Sequence, residues 1–452
     1  MNIIIVGCGK VGYTLASQLG EENHTITVID KSQSKLTEAI SSLDIQAILG
    51  SGTSYQTLME AGVEEADLLI AVTDQDEINL LSCLIARKAG GCQTIARVRD
   101  PEYYQEISFI KEELGLSLAI NPENTAASEI TRLIHYPSAL EVDTFAKGHI
   151  NMVSVRIPED SVLNGMTLID YQHKLSRRSL VCIVQRGDEV IIPSGMFRLA
   201  AGDMISLIIP IEESYQFFKK IGIHAPSIRH VLLAGGGTIS YYLTNQLTQA
   251  GVSVKIIEID EERCSELAEM LPKATIICGD ASDKGLLEEE GIADCDALVA
   301  LTGIDEENIL LSLYTHHVSS AKTITKINKI EFAEVIEEMN LGSIISPKNI
   351  TAEYILRYVR SMQNSYGSNV ETLYRLMGGR VEALEFIIDS NAKAIGIPLK
   401  DMKRIDNLLI CSIYRNGKTI TPSGDDMFEV GDDVVVVTTH KGLNGIDDIL
   451  KP

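Results

Sequence analysis

The chain has 452 residues, 45% of them hydrophobic, and a formal net charge of −24 at pH 7. That length predicts about three domains, at roughly 150 residues each, and the negative charge argues against binding to nucleic acid or to a polyanionic membrane surface. No apolar run reaches the roughly 18 residues that span a bilayer, and the chain opens directly on a strand-like run without a basic leader. These features predict a cytoplasmic protein.

The first 120 residues read as alternating strands and helices. Six short apolar runs predict buried parallel strands: Asn2–Val6, Thr25–Asp30, Gln46–Leu49, Leu68–Val72, Thr94–Val98 and Leu116–Ile120. With crossover helices between them, these strands predict a doubly wound, Rossmann-like sheet.

The turn after the first strand carries a glycine pattern typical of dinucleotide-binding folds. Its residues are Gly7, Cys8, Gly9, Lys10, Val11 and Gly12. Such glycines allow a sharp turn, close approach of a pyrophosphate and tight helix packing, while the helix start offers free N–H groups to phosphate. The pattern predicts a nucleotide site; the alternative is a Rossmann loop that binds nothing.

Polar residues at the ends of later strands extend this candidate site. Asp30 ends the second strand, where a carboxylate accepts hydrogen bonds from ribose hydroxyls and repels a 2′-phosphate. NAD(H), ATP or ADP is therefore favoured over NADP. Thr73 and Asp74 follow the fourth strand, beside the expected crevice, and Arg97 ends the fifth. Arg97 is interpreted as a phosphate contact, with an ion pair as the alternative.

A helix and a smaller lobe follow the sheet. Asn121 and Pro122 predict a helix start, and Ile130, Leu133 and Ile134 give that helix an apolar stripe that should dock on another surface, a second subunit being one candidate. Beyond it, alternating β-rich runs predict a small α+β lobe with a hairpin at Arg186-Gly187-Asp188.

From residue 228 the sequence repeats. "IIVGCGKVGYTLASQL" matches "LLAGGGTISYYLTNQL", "NPENTAASEI" matches "SPKNITAEYI", and "PSG" precedes a final strand in both halves. A register held over most of the chain predicts two copies related by a pseudo-twofold axis. The predicted units are 1–122 and 228–348, both Rossmann-like, and 140–224 and 368–452, both lobes.

The second copy repeats most of the candidate site. The matching residues are Gly235, Gly236, Gly237, Thr238, Ile239, Glu258, Thr302, Gly303 and Lys326. Ser240 stands where the first copy has Gly12, and Asp280 where it has Ser51. These departures leave open whether both copies prefer the same nucleotide.

No catalytic or metal-ligating residue is predicted. His149 and His173 in the first lobe have no counterparts in the second, and the eight cysteines form no CxxC or CxxH pair. Two nucleotide sites without a repeated catalytic group indicate a binding device rather than an enzyme. An NAD-dependent oxidoreductase remains the alternative from another class.

Together with the glycine loops, the runs "AVTDQDEINLLS", "IARVRDPEY" and "NPENTAASEI" carry a specific resemblance. The whole chain resembles the regulatory subunits of Trk potassium-uptake systems, with tandem domains that regulate conductance of potassium (RCK domains). The resemblance implies a homotetrameric ring at the inner face of the cell membrane. It also implies that NAD(H), ATP or ADP changes the ring and so gates a TrkH-like potassium channel or transporter. Regulation of another ion transporter is the nearer alternative.

Overall fold

The computed structural model describes residues 1–136, 139–146, 149–175, 178–209, 211–222, 228–328, 339, 341–364, 370–377, 379–443 and 445–451. The stretch that joins the two halves, 212–227, therefore lies partly outside the described residues. Where it is described, it contains a helix ending at Lys220.

The first Rossmann-like unit alternates strands and helices. In chain order it contains β1 Asn2–Val6, α1 Lys10–Glu21, β2 Thr25–Asp30, α2 Gln33–Ser42, β3 Gln46–Leu49, α3 Tyr55–Glu60, β4 Leu68–Ala71, α4 Asp76–Gly90, β5 Gln93–Arg97, α5 Pro101–Gln105, α6 Ile107–Leu114 and β6 Leu118–Ile120. Its six strands are parallel, in the order β3-β2-β1-β4-β5-β6. The doubly wound sheet is confirmed, with strand ends within two residues of the prediction.

The first lobe is an antiparallel sheet reached through one helix. It contains α7 Pro122–His135, β7 Glu141–Phe145, β8 Ile150–Arg156, α8 Leu168–Lys174, β9 Leu180–Arg186, β10 Glu189–Ile191, β11 Met204–Ile208 and α9 Ile211–Lys220. The sheet order is β10-β9-β11-β8-β7. Asn121 caps α7 by accepting a hydrogen bond from the Asn124 N–H, and β9 and β10 form the predicted hairpin.

The second half repeats this architecture. It contains β12 His230–Ala234, α10 Thr238–Gln249, β13 Ser253–Glu258, α11 Glu261–Met270, β14 Thr275–Cys278, α12 Lys284–Glu289, β15 Ala297–Ala300, α13 Asp305–Val318, β16 Lys322–Lys326, β17 Ser343–Ile345, α14 Pro347–Asn364, β18 Val370–Leu376, β19 Val381–Ile387, β20 Leu408–Arg415, β21 Lys418–Ile420, β22 Asp433–Thr438 and a 3-10 helix Ile446–Ile449. The sheet orders, β14-β13-β12-β15-β16-β17 and β18-β19-β22-β20-β21, correspond strand for strand to those of the first half.

The halves exchange helices. Helix α7 leaves the first Rossmann unit and packs on α10 of the second, while α14 leaves the second and packs on α1 of the first. Asn121 donates a hydrogen bond to the Tyr242 hydroxyl at 3.0 Å, and Tyr358 donates one to the Gln93 side chain at 2.8 Å. This reciprocity agrees with the predicted pseudo-twofold relation.

The apolar stripe of α7 is covered within one chain. Ile130, Leu133 and Ile134 are 0%, 4% and 3% exposed, in a core shared with the second Rossmann unit. The stripe does dock, as predicted, but the expectation that a second subunit covers it is wrong. The repeat itself supplies the partner surface.

The two lobes pack on each other through a shared apolar core. Phe145, Met152 and Cys182 from the first lobe meet Tyr374, Cys411 and Val435 from the second. The Tyr374 hydroxyl donates to the Thr144 carbonyl at 2.9 Å, and Glu385 accepts from the Ala146 N–H at 2.9 Å. The two lobes are thereby joined by both apolar contacts and hydrogen bonds.

Candidate functional site

The glycine loop of the first copy turns sharply between β1 and α1. Gly7 has φ +104°, which favours glycine, and its N–H donates to the Ile29 carbonyl at 2.8 Å. A Cβ on Gly12 would lie 1.9 Å from the Gly7 carbonyl oxygen, so α1 packs against the loop without room for a side chain. Gly9 caps the helix and has open space around it. The first N–H groups of α1 are thus exposed beside the loop.

Asp30 fastens this loop to the end of β2. One carboxylate oxygen accepts the Cys8 N–H at 2.6 Å and the other accepts the Ser32 N–H at 2.8 Å. Each oxygen retains further acceptor capacity. The carboxylate therefore orders the glycine loop and remains in position to accept a hydrogen bond from a ribose hydroxyl.

A partly open cavity lies beside Asp30. Its lining comes from the glycine loop, the carboxyl ends of β1 to β4 and the starts of α2 and α4: Val6, Gly7, Gly9, Ile29, Asp30, Lys31, Lys35, Gly50, Gly52, Val72, Thr73, Asp74 and Ile78. The predicted Gly7, Gly9, Asp30, Thr73 and Asp74 are thus brought together. The cavity sits where strand order reverses, at the carboxyl ends of the strands, which is where doubly wound sheets bind ligands.

The remaining predicted residues of the first loop have other surroundings. Val11 is buried in the core below α1, and Cys8 is buried with its thiol directed to the Lys35 carbonyl at 3.8 Å. Lys10 is exposed at the first position of the helix. Cys8 and Val11 therefore offer a ligand their backbone, whereas Lys10 has a free charged side chain at the helix start.

The Thr73-Asp74 turn forms the rim of the cavity, and Arg97 lies beneath this rim rather than in the cavity wall. Its guanidinium donates to the Thr73 carbonyl at 2.5 Å and to Asp74 at 3.2 Å. The Arg97 side chain is 10% exposed, while Asp74 is 93% exposed. Burial is the main cause that lowers the pKa of Arg97, and the nearby Arg99 lowers it further. The cation holds the Thr73-Asp74 turn and places positive charge under it.

Asn79, which the sequence did not single out as a site residue, ties these strand ends together. Its carbonyl oxygen accepts from the Thr73 N–H at 2.8 Å and the Thr73 hydroxyl at 2.7 Å, and its amide donates to the Arg97 carbonyl at 2.9 Å. Asn308 makes the same contacts with Thr302 and Lys326. The sequence repeat matches Asn79 with Asn308, and this was the signal for their shared role.

The second copy closes its glycine loop in the same manner. Gly235 has φ +99°, and Glu258 accepts the Gly236 N–H at 2.6 Å and the Asp260 N–H at 2.9 Å. Gly237 caps α10 and is open, Thr238 begins the helix, and Ile239 is buried below it. The carboxylate position and the exposed helix start are therefore common to both copies.

The rim of the second copy, formed by the turn Thr302-Gly303, differs from that of the first. Gly303, with open space around it, stands where the first copy has Asp74. Lys326 donates to the Leu301 carbonyl at 3.1 Å, and burial lowers its pKa. The second rim thus lacks the carboxylate that pairs with Arg97 in the first copy.

Basic residues beside the two glycine loops escaped the sequence prediction. Lys31 and Lys35 line the first cavity, and Arg263, the counterpart of Lys35, donates to the Gly236 carbonyl at 3.0 Å. A basic residue five positions after each carboxylate was the available signal. The acidic starts of α4 and α13 are structural, since Asp76 accepts the Arg99 and Asp100 N–H groups and Asp305 accepts that of Asn328.

Among the described residues, no three or more His, Cys, Asp or Glu side chains are grouped so that they could hold a metal ion. In the same part of the chain, no helix combines the length and apolar character needed to cross a membrane. The chemistry that the candidate sites offer is recognition by backbone N–H groups, carboxylates and cations.

The TrkA-N domain model matches residues 3–122 and 231–347, and the TrkA-C domain model matches 152–222 and 383–451. The chain is 34% identical over 452 residues to a Trk system potassium uptake protein TrkA homolog of Archaeoglobus fulgidus, covering 100% of both chains. It is 32% identical to the Halomonas elongata protein TrkA, covering 98% of this chain and 96% of that one.

Among solved structures, the chain is similar in fold to the GsuK channel bound to NAD. The TM-score is 0.62 at 16% identity, over 97% of this chain and 76% of that chain. An isolated GsuK RCK domain structure gives the same TM-score at 17% identity, over 96% and 92% of the two chains. The family models and the full-length relatives agree, and the chain belongs to the TrkA family of Trk-system potassium-uptake proteins.

Proposed function

We propose that this protein is a nucleotide-binding regulatory subunit that gates a membrane potassium channel or transporter of the Trk type. The observation that carries the proposal is the duplicated glycine loop, closed in each copy by a strand-end carboxylate, in a chain of the TrkA family. The family supplies the link to potassium uptake, and the two loops supply the means of sensing a nucleotide.

The ligands are NAD(H), ATP or ADP, held as regulators. The starts of α1 and α10 face the phosphates, and Asp30 and Glu258 accept from the ribose of each copy. The GsuK channel, which shares this fold, has been solved with NAD. A carboxylate at this position opposes a 2′-phosphate, so NADP is disfavoured.

The exchanged helices provide a route from nucleotide to lobe. Helix α10 begins at the second glycine loop and packs on α7, which leads directly into the first lobe. The contact includes a Thr131 hydroxyl that donates to the Gln246 side chain at 2.7 Å. A ligand that moves α10 shifts α7 with it, provided that it binds the two arrangements with different affinity.

The surroundings of the lobe histidines support a non-enzymatic role. His149 stacks on Tyr414 at 4.7 Å between ring centroids, which assigns it to lobe packing, and His173 is exposed near the end of α8. Neither has a counterpart in the second half. A conserved hydride-transfer centre in each unit would need a repeated acid or base.

Assembly into a homotetrameric ring at the inner face of the membrane completes the proposal, with a TrkH-like subunit as partner. Leu81 on α4 and Leu310 on α13 occupy equivalent positions and are 45% and 66% exposed. Equivalent apolar faces on both copies suit repeated contacts around a ring. The functional units are those bounded above, 1–122, 140–224, 228–348 and 368–452.

Two measurements test the proposal. Calorimetry of the full chain against NAD⁺, NADH, ATP and ADP should show binding to both copies, and potassium flux through the reconstituted membrane partner should depend on which nucleotide is present. Nucleotide binding without any effect on flux would contradict the regulatory role. Catalytic turnover of NADH with a small carbonyl compound would instead support an oxidoreductase.

A further inference from the structure

The second Rossmann unit holds two cysteines beside its candidate nucleotide site. Cys264 lies in the first half of α11 and is 8% exposed, and Cys278 is the last residue of β14 and is exposed. The strand register pairs Cys278 with Glu258, the carboxylate that closes the glycine loop. Both thiols thus lie at the edge where ribose and adenine would bind.

Hydrogen bonds place the two thiols close to each other. The Glu258 carbonyl accepts from the Cys264 thiol at 3.3 Å and from the Gly279 N–H at 2.8 Å, and Gly279 directly follows Cys278. The neighbouring Cys278 thiol also raises the pKa of Cys264. One backbone carbonyl therefore connects Cys264, Cys278 and the ribose carboxylate.

The first copy has no such pair. The positions that match Cys264 and Cys278 carry Leu36 and Leu49, and Leu49 pairs with Asp30 in the same strand register. Among the eight cysteines Cys278 alone is exposed, and Cys295 is partly exposed. A small thiol reagent in solution would therefore reach Cys278 before the buried thiols.

We propose that Cys264 and Cys278 form a reversible disulfide. Nucleotide binding at the second copy, and not at the first, then depends on the ratio of disulfides to thiols in the surrounding solution. The effect on binding rests on the proposed function, whereas the formation of the disulfide does not. The oxidant is a small-molecule disulfide such as oxidised glutathione.

The exchange proceeds in two balanced steps. The Cys278 thiolate attacks one sulfur of oxidised glutathione, breaks its S–S bond and releases one glutathione thiolate, which takes up a proton. The Cys264 thiol then gives up its proton and, as the thiolate, attacks the Cys278 sulfur, forms the protein disulfide and releases the second glutathione thiolate, which takes up a proton. The protein dithiol is oxidised as glutathione disulfide is reduced to two thiols.

Their surroundings assign different roles to the two sulfurs. Burial, then the adjacent Cys278 thiol and the nearby carboxylates Glu258 and Asp260, raise the pKa of Cys264 to about 11. Cys264 is therefore predominantly protonated near neutral pH and reacts second, while the exposed Cys278 meets the oxidant first. Closing the disulfide removes the Cys264 hydrogen bond to Glu258 and ties the end of β14 to α11.

Peptide mapping of the full chain in glutathione redox buffers tests the modification. The acid-quenched, alkylated protein should contain a Cys264–Cys278 disulfide that dithiothreitol reverses. Cys264→Ser should instead retain glutathione on Cys278, and Cys278→Ser should show neither product. Cys295→Ser is the matched control and should behave as wild type. Stable glutathione on Cys278 of the wild type, without the disulfide, would overturn the proposal.

Calorimetry on Asp30→Ala and Glu258→Ala, each of which weakens one copy and leaves the other intact, tests the consequence. Oxidation should weaken binding to Asp30→Ala roughly tenfold, about 1.4 kcal/mol, and leave Glu258→Ala unchanged. Equal affinities of oxidised and reduced Asp30→Ala would overturn the regulatory effect. If reduced Asp30→Ala binds no nucleotide, the proposed function fails for the second copy, while peptide mapping still decides whether the disulfide exists.

Discussion

At the third glycine position the first copy has Gly12 and the second has Ser240. In the first, the helix packs so closely that a Cβ would collide with the Gly7 carbonyl. In the second, the Ser240 side chain is fully buried and its hydroxyl donates a hydrogen bond to the equivalent carbonyl, that of Gly235. The first copy thus packs the helix backbone directly against the glycine loop, whereas the second copy joins helix and loop through a side-chain hydrogen bond. The turn is the same in both.

A second difference between the copies lies in electrostatics. The first rim has an exposed Asp74 over a buried Arg97, whereas the second has Gly303 over Lys326. The glycine loop and the carboxylate that closes it are common to both copies, so the rims are where the two candidate sites can differ in ligand preference. Repeated sequences can therefore keep one recognition element while the neighbouring element diverges.

The largest expected effect comes from the helices that the halves exchange. Glu353 on α14 stands where α7 has Ser128. Burial, with smaller contributions from Glu129 and Glu141, raises the pKa of Glu353 to about 7 against the lowering effect of Arg357 and Arg360. Between the ordinary pKa and about 7 the folded state binds the extra proton, so stability falls as pH rises through this window.

Glu353→Gln should therefore stabilise the protein above pH 7 and change little near pH 4.5. The gain should approach about 3 kcal/mol, since each pKa unit corresponds to about 1.4 kcal/mol. Denaturant unfolding at about pH 5 and about pH 8.5 measures it. Ser128→Ala, at the matched position of α7, should show no such pH dependence. An equal effect of Glu353→Gln at both pH values would contradict the interpretation.

The glycine comparison is tested by giving the first copy the residue of the second. Gly12→Ser should lower stability by about 1–3 kcal/mol, the usual cost of overpacking, and weaken nucleotide binding to the first copy. Gly20→Ser is the control, because a Cβ there has nothing within 4 Å. Thermal unfolding and calorimetry measure both. If Gly12→Ser is as stable as Gly20→Ser, the first loop can adopt the arrangement of the second.

The shared carboxylate predicts similar losses in both copies. Asp30→Ala should weaken binding to the first copy roughly tenfold or more, since a hydrogen bond to a charged group contributes about 1.5–3 kcal/mol. Glu258→Ala should do the same for the second copy. Asp44→Ala and Glu269→Ala remove exposed acids outside the sites and serve as charge-matched controls. Calorimetry that shows an unchanged first site in Asp30→Ala would exclude the ribose assignment.

The smallest expected effect concerns ligand preference at the rim. Arg97→Lys gives the first copy the cation of the second and removes one of the two hydrogen bonds to the Thr73-Asp74 turn. The ratio of affinities for ATP and NAD⁺ should change roughly two- to fivefold, less than one full charged hydrogen bond. Lys326→Arg is the reciprocal variant. An unchanged ratio at the first copy in competition calorimetry would assign the preference to other residues.

The local pattern of the sequence determined the repeat, the strand–helix order and the two glycine loops. Short apolar runs, the Asn121 cap and turn glycines act within a few residues, so their outcome is readable without the fold. The predicted site residues Gly7, Asp30, Thr73 and Asp74 meet in one cavity because the carboxyl ends of parallel strands share an edge.

Only the tertiary structure decided which part of the molecule each apolar face or side chain packs against. The stripe at Ile130 required an apolar partner, but the sequence could not say that α10 of the same chain provides it. Likewise, Cys264 and Cys278 come together through the packing of α11 on β14, and Lys35 enters the cavity through the placement of α2. Periodicity fixes which face is apolar, whereas long-range packing selects its partner.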